Sequence, residues 1–228
     1  MTILVGVKCT DGIVIGVDSI ATSAHGRNPL VQIVSNDKLQ LVGNKGLLAA
    51  TGSVGLAQRI HLIADKMWTD RKYSGGAMKV ATEFTAASVA DFASTNVQMS
   101  QQHGLGFGAL LGMVIDNKPE LIEFGTTDFQ PEIKQGNLFA VSMGSGQILA
   151  DPFLAFVSRV LWHGKMPDVK LGKAGVFWVL DHTIKYAPGG VGEPIKLGVL
   201  QKMHGTCRRN WRSLLPPSRS FFEKGMRL

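Results

Sequence analysis

Two apolar runs joined by a tight turn open the chain, and they constrain the fold more than any other feature. Residues 3–9 (Ile-Leu-Val-Gly-Val-Lys-Cys) read as a strand, Thr10-Asp11-Gly12 as a turn, and Ile13–Val17 as the returning strand. A strand with one wet face alternates apolar and polar residues. These runs barely alternate, so both faces must be covered. A hairpin of this kind cannot end a structure; it needs a layer above and a layer below.

The rest of the chain supplies candidates for those layers. Residues 23–30 read as a loop by composition. A second hairpin follows: Lys38–Val42, a turn at residues 43–46, then Leu47–Thr51. After Gly52 the period changes. Ser53 is a suitable N-cap, and Leu56, Ile60, Ile63 and Met67 recur at helical spacing. An Ala-rich stretch from Ala77 to Ser94 reads as a second helix, ending near Gly104. Strands are expected at Phe107–Ile115, Glu120–Phe124 and Leu138–Ser142, helices near Ile148–Trp162 and Gly172–Ile184, and a last strand at Pro194–Leu200. Four strands, two helices, three strands, two helices and one strand suit an α+β chain. Two antiparallel sheets between helix layers would bury both faces of the strands and one stripe of each helix.

Composition narrows the function classes. The chain has 228 residues, 45% hydrophobic and 18% charged, enough for a substantial core in one large domain. It has no apolar run long enough for a membrane span and no basic-then-apolar leader, so no membrane and no signal peptide are expected. Cys9 and Cys207 stand alone and the six His are scattered. A disulfide framework or a metal centre is therefore not expected, and a cytoplasmic location is. The net charge is +7, yet from residue 201 onward seven cations face only Glu223. We expect a main domain over residues 1–200 and a basic C-terminal extension over 201–228, with the charge in a tail rather than on a folded face.

Thr2 is a candidate nucleophile. Removal of Met1 would give a residue carrying both a hydroxyl and a free α-amine, whose reference pKa of about 7.7–8.0 lets it act as a base near neutrality. The residues around it form an ordered pattern. Thr2-Ile3-Leu4-Val5-Gly6-Val7 is followed by Asp18-Ser19-Ile20-Ala21-Thr22, then by Lys38-Leu39-Gln40-Leu41, by Ala49-Ala50-Thr51-Gly52-Ser53, and by Gly144-Ser145-Gly146-Gln147. In this order and spacing the chain resembles the proteasome β-type subunit family over roughly residues 2–200. The resemblance is strongest to the bacterial proteasome homologues of β-proteobacteria.

The resemblance implies a four-layer αββα sandwich and a threonine endopeptidase of the N-terminal-nucleophile class, with no cofactor. It also implies homo-oligomeric rings acting on peptides or unfolded polypeptides, with an ATP-dependent unfoldase as a candidate partner; in departure from the family, no segment precedes Met1, so no propeptide processing is expected. Its site would comprise Thr2 as nucleophile, Lys38 as the cation beside it, and Asp18 to pair with Lys38. Gly52 would be the oxyanion donor, and Ser145 would be a partner of the Thr2 amine. Ala21, Ala50 and Val54 would line the pocket for the residue before the scissile bond, and Thr22 would pair with substrate backbone. Two further departures stand out. Ile20 occupies a place where the family commonly has Arg, and Lys185 and Pro188 stand where it has Asp and Ser, leaving Asp181 one turn earlier as a candidate substitute. Two other readings are carried alongside. One is a non-catalytic structural subunit. The other is nucleic-acid binding through the tail, where Trp211, Phe221 and Phe222 interleave with arginines; a solvated or ring-contacting extension is favoured over it.

Overall fold

The structure, a computed structural model, describes residues 2–23, 31–34, 38–94, 106–187, 190–203 and 206–214, with 22–23, 31–34, 202–203 and 206–214 described by the backbone alone. In chain order the elements are β1 (Leu4–Cys9), β2 (Gly12–Val17), β3 (Ile20–Ser23), β4 (Val31–Val34), β5 (Leu39–Val42) and β6 (Gly46–Thr51). Next come α1 (Val54–Thr69), α2 (Ala77–Ser94), β7 (Gly108–Ile115), β8 (Lys118–Phe124), β9 (Pro131–Ile133) and β10 (Ala140–Met143). The chain continues with α3 (Gln147–Val160), α4 (Val169–Tyr186), β11 (Ile195–Met203) and β12 (Thr206–Leu214).

Two five-stranded antiparallel sheets form, in the orders β10-β1-β2-β11-β12 and β5-β6-β7-β8-β9, with β3 and β4 as a separate pair. The sheets pack face to face. Leu4, Ile13, Ile15 and Val17 of the first meet Leu39, Leu47, Leu110 and Leu121 of the second. The alternate residues of the first sheet, Val5, Val7 and Val14, turn to the other side, against Val176, Val179 and Leu180 of α4. In the second sheet Leu48, Leu111 and Met113 do the same toward Ile60, Ala64 and Phe84 of α1 and α2. This is why β1 and β2 lack a polar face: each side meets a different apolar layer. The fold is α+β, a four-layer sandwich of two antiparallel sheets between helix pairs. Gly16 shows how closely the layers approach, since a Cβ there would lie 2.6 Å from both Leu180 and Val176.

The structure differs from the sequence reading in three places. Ser23 belongs to β3 rather than to a loop, and β4 follows at 31–34; residues 24–30 between them, and the expected helix end near Gly104, lie outside the described residues. The short β9 is an additional edge strand. The boundary set at residue 200 falls inside β11, and β12 pairs along its length from Ile195↔Leu214 to Met203↔Thr206. Part of the expected extension is therefore sheet, and it carries Arg208, Arg209 and Arg212. An edge strand needs only backbone pairing on one side and tolerates charge, so β12 lacks the apolar signature by which the buried strands were found. Residues 215–228 lie outside the described residues.

Candidate active site

The β1–β2 hairpin fixes the centre of the site. Its register, Leu4↔Val17, places Thr2 just before one strand and Asp18 just after the other. Asp18 N donates to Ile3 O at 3.2 Å, and Ile3 N donates to Asp18 Oδ1 at 3.0 Å. Asp18 is fully buried. A buried carboxylate must be hydrogen-bonded or neutralised, and this one has four donors. Besides Ile3 N these are Lys38 Nζ at 2.7 Å on Oδ1, and Ile20 N and Gly192 N, each at 3.2 Å on Oδ2.

Lys38 stands at the entrance to β5. Its carbonyl accepts from Ala50 N at 3.3 Å, extending the β5–β6 pairing by one step. Its side chain is 10% exposed. Burial pushes the Lys38 ammonium below the ordinary lysine value, and the charge and hydrogen bond of Asp18 restore only part of that loss. The group is thus a desolvated cation held by a buried carboxylate.

A third segment closes over Thr2. β10 pairs with β1 through Leu4↔Met143, so the turn between β10 and α3 passes across the start of β1. Thr2 N donates to Ser145 Oγ at 3.1 Å, and Gly146 N donates to Thr2 O at 3.2 Å. Gly144 has φ +102°, and a Cβ on it would lie 2.3 Å from Thr2 O and 3.1 Å from Thr51 Oγ1. Only glycine fits there, wedged between the nucleophile candidate and the end of β6. The next residue after Thr51 is Gly52, with φ +100° and room for a Cβ denied by Gly106 O at 2.4 Å. Ser53 then caps α1, accepting from Leu56 N. Gly52 therefore sits at the junction of β6 and the α1 N-terminus, one residue from the Thr51–Gly144–Thr2 contact.

Thr2, Asp18, Lys38 and Ser145 thus form one connected group, with Gly52 beside it. Among the expected pocket residues, Ala21 is half-buried on β3, Ala50 is buried on β6, and Val54 is 55% exposed at the start of α1. The Thr22 side chain lies outside the described residues. Asp181 is not drawn into the group. It is half-buried on α4, while the α4 residue that meets the Ser145 turn is Thr183: a Cβ on Gly146 would lie 3.0 Å from Thr183 Cγ2. Two helical positions differ by about 200°, so Asp181 projects away from that contact.

Sequence reasoning missed the loop that closes over Asp18. Ser19 N donates to Gly192 O at 2.9 Å and Ser19 Oγ donates to Pro194 O, which brings Gly192 N to the carboxylate. Ile20, where the resemblance anticipates Arg, packs over the same loop: a Cβ on Gly192 would lie 2.3 Å from Ile20 Cδ1. The residue that departs from the family pattern has become an apolar lid over a backbone donor. The Gly-rich run at 189–192 was the available signal for a close backbone approach.

A four-layer sandwich with a buried Asp–Lys pair beside Thr2 defines a class, and comparison gives its family. The proteasome subunit family matches residues 2–155; the chain belongs to this family. No curated protein is similar enough to match. Among solved structures, the Anbu complex from Pseudomonas aeruginosa, described as a helical assembly, is 15% identical with a TM-score of 0.67, covering 97% of this chain and 90% of that one. Anbu from Hyphomicrobium sp. strain MC1 is 17% identical with a TM-score of 0.67 and the same coverage. A Gly-1 mutant of the latter is 17% identical with a TM-score of 0.68, covering 98% and 91%. At these identities the structures show a shared fold. No helix among the described residues is long and apolar enough to cross a membrane.

Proposed function

We propose that the chain is a threonine-type endopeptidase subunit in which Thr2, freed by removal of Met1, is the N-terminal nucleophile. The observation that carries this reading is Asp18 Oδ1, which accepts from Lys38 Nζ and from the backbone N–H immediately after Thr2. One buried oxygen thereby sets the cation relative to the nucleophile's own backbone.

The chemistry follows from the groups present. The Thr2 α-amine takes the hydroxyl proton, directly or through water, as Oγ1 attacks the peptide carbonyl. Lys38 favours the developing alkoxide by charge, and Gly52 N–H receives the tetrahedral oxyanion. Collapse breaks the C–N bond, the departing amine takes the proton back, and an ester to Thr2 remains for water to hydrolyse. Ser145 Oγ holds the Thr2 nitrogen in place. Asp181 is given no part in these steps. The family and the helically assembled Anbu relative support an oligomeric arrangement; the proposal adds that it closes into rings that enclose the sites, acting on peptides or unfolded chains in the cytoplasm, with an unfoldase delivering folded substrates.

The test combines intact mass with a peptidase assay. The wild type is expected to lack Met1 and to cleave fluorogenic peptides. Thr2→Ala should abolish cleavage with fold and assembly unchanged, and Thr2→Ser should retain part of it. Full activity in Thr2→Ala would overturn the Thr2 mechanism, and no activity in a wild type already lacking Met1 would favour the structural-subunit reading instead. The small apolar residues Ala21, Ala50 and Val54 offer no charge to pair with. A panel varying the residue before the scissile bond should therefore favour Leu, Tyr or Phe, each gaining roughly 1.5–3 kcal/mol by burial, over Arg or Asp.

A further inference from the structure

The turn that carries Ser145 is thinly packed. Ser145 and Gln147 are exposed, and Ile148, in the first turn of α3, is 81% exposed. Packing holds the turn from one side: a Cβ on Gly146 would lie 3.0 Å from Ile3 Cβ and from Thr183 Cγ2. The backbone gives less support than a helix start usually does. Gly146, the α3 N-cap, has no side chain to cap with, and Pro152 inside the helix has no N–H to return to Ile148 O. Yet this turn must present Ser145 Oγ to Thr2 N and Gly146 N to Thr2 O.

One side chain ties the turn together. Asp151, in the second turn of α3, accepts on Oδ1 from Ser142 Oγ and on Oδ2 from Gln147 Nε2 at 2.9 Å. Ser142 stands on β10, three residues before Ser145, and Gln147 stands two residues after it. A single carboxylate thus bridges both ends of the segment that touches Thr2. Ser142 is itself fixed, being 1% exposed and paired with Val5 of β1. A buried hydroxyl needs a partner, and a carboxylate acceptor makes a stronger bond than a neutral one. An acid near a helix N-terminus ordinarily offsets the helix dipole, but that effect falls off within the first turn. Asp151 lies beyond it, and α3 has no acid in its first turn.

We propose that Asp151 is a positioning residue for the Thr2 centre: it clamps residues 142–147 so that Ser145 Oγ and Gly146 N stay on the Thr2 nitrogen and carbonyl. The proposal rests on the reading of Thr2 as nucleophile and adds a residue that acts on it only through Ser142, Gln147 and the turn between them. Without the carboxylate, the buried Ser142 hydroxyl loses its acceptor and the first turn of α3 loses the side-chain bond that spans it. The Thr2 amine then loses its fixed direction toward the hydroxyl it must deprotonate. A misplacement of about 1 Å at a reacting group can cost roughly a hundredfold in rate.

Two measurements on the full chain test it. The first needs no catalysis: hydrogen exchange at the Gly146 amide, whose N–H is held by Thr2 O. Asp151→Ala should speed that exchange roughly tenfold or more while the amides of β1 and β2 stay unchanged. Asp151→Asn, which keeps an oxygen for Ser142, should restore most of the protection. The second is kinetic. Asp151→Ala should lower kcat roughly ten- to a hundredfold with KM held. In a Ser145→Ala background the same substitution should cost much less, because the side chain it positions is already gone. Unchanged Gly146 exchange in Asp151→Ala would overturn the proposal. So would a rate loss of equal size with and without Ser145, or faster exchange throughout β1 and β2, which would make Asp151 a residue of global stability. If a wild type lacking Met1 cleaves no peptide, the Thr2 reading fails, and Gly146 exchange still decides whether Asp151 clamps the turn.

Discussion

Two buried lysines stand at opposite edges of the same sheet and respond to burial in opposite ways. Lys38 leads into β5 and Lys134 follows β9, with side chains 10% and 7% exposed. Burial pushes both ammonium groups down. For Lys134, the hydrogen bonds and charges of Glu123 and Glu132 together outweigh burial and raise it above the ordinary value. For Lys38, burial wins over Asp18 and the group stays lowered. Their carboxylate neighbours among the described residues differ. Lys134 has two carboxylates, at 2.5 and 2.7 Å. The carboxylate beside Lys38 is divided among Lys38 and three backbone N–H groups. A fully compensated lysine braces an edge strand. A lysine that burial keeps lowered is the one that the proposed mechanism sets beside the alkoxide.

The largest effect expected from this contrast is on turnover. Lys38→Ala should reduce peptidase turnover by roughly 10²–10³-fold, the scale of losing one electrostatic contributor to a transition state. Lys38→Arg should not restore it, because a planar fork cannot replace a compact ammonium. Lys134→Met should leave turnover at the wild-type level. Equal losses in the two variants would show that the contrast has no functional content and that both lysines act on stability alone.

How much of this could be read in advance depends on where each signal resides. The two-faced strands announced the sandwich because burial on both sides erases the polar alternation of Leu4–Cys9 and Gly12–Val17. Thr2, Asp18, Lys38, Gly52 and Ser145 were legible because each lies within a few residues of an element end, in a fixed order along the chain. What escaped depends on contacts between distant segments, or on backbone rather than side chains. Gly192 N reaches Asp18 from 174 positions away. Thr183, not Asp181, meets the Ser145 turn because of the phase at which α4 docks. β12 pairs through its backbone while reading as a charged tail. Lys134 carried no signal, because the pairing of β8 with β9 that sets Glu123 opposite Glu132 is not visible in local sequence.

A middle-sized effect concerns stability at neutral pH. Lys134→Met would leave Glu123 and Glu132 side by side without their cation. Removing one partner of a buried pair costs about 3–5 kcal/mol. Here the Glu123 and Glu132 side chains keep 21% and 53% of their exposure, and water screens their repulsion, so a loss of about 1–2 kcal/mol in urea unfolding is expected. Adding Glu123→Gln to Lys134→Met should recover part of it. No recovery would mean that Lys134 contributes through packing rather than charge.

The smallest effect, and the sharpest test of the contrast, is the sign of the pH dependence above neutrality. Stability rises with pH wherever the unfolded chain binds more protons than the native one. Lys38 has a native value below its unfolded value of 10.5. Between the two, the unfolded chain holds the proton more often, so this residue makes stability rise with pH. Lys134 has a native value above 10.5. Its contribution is fully present below the unfolded value and is lost as pH rises through the native one, so it makes stability fall with pH. Unfolding free energies of the wild type, Lys38→Met and Lys134→Met, measured from neutral pH upward into the lysine range, isolate each term by difference. The wild type minus Lys38→Met should slope upward with pH, starting below the ordinary lysine value. The wild type minus Lys134→Met should slope downward, starting nearer or above it. The peptidase rate should follow the first residue: if charged Lys38 supports the alkoxide, the alkaline limb of kcat/KM should fall below the ordinary lysine value and be absent from the residual activity of Lys38→Ala. Parallel slopes would show that the two pairs are compensated alike, and the contrast between the two lysines would fail.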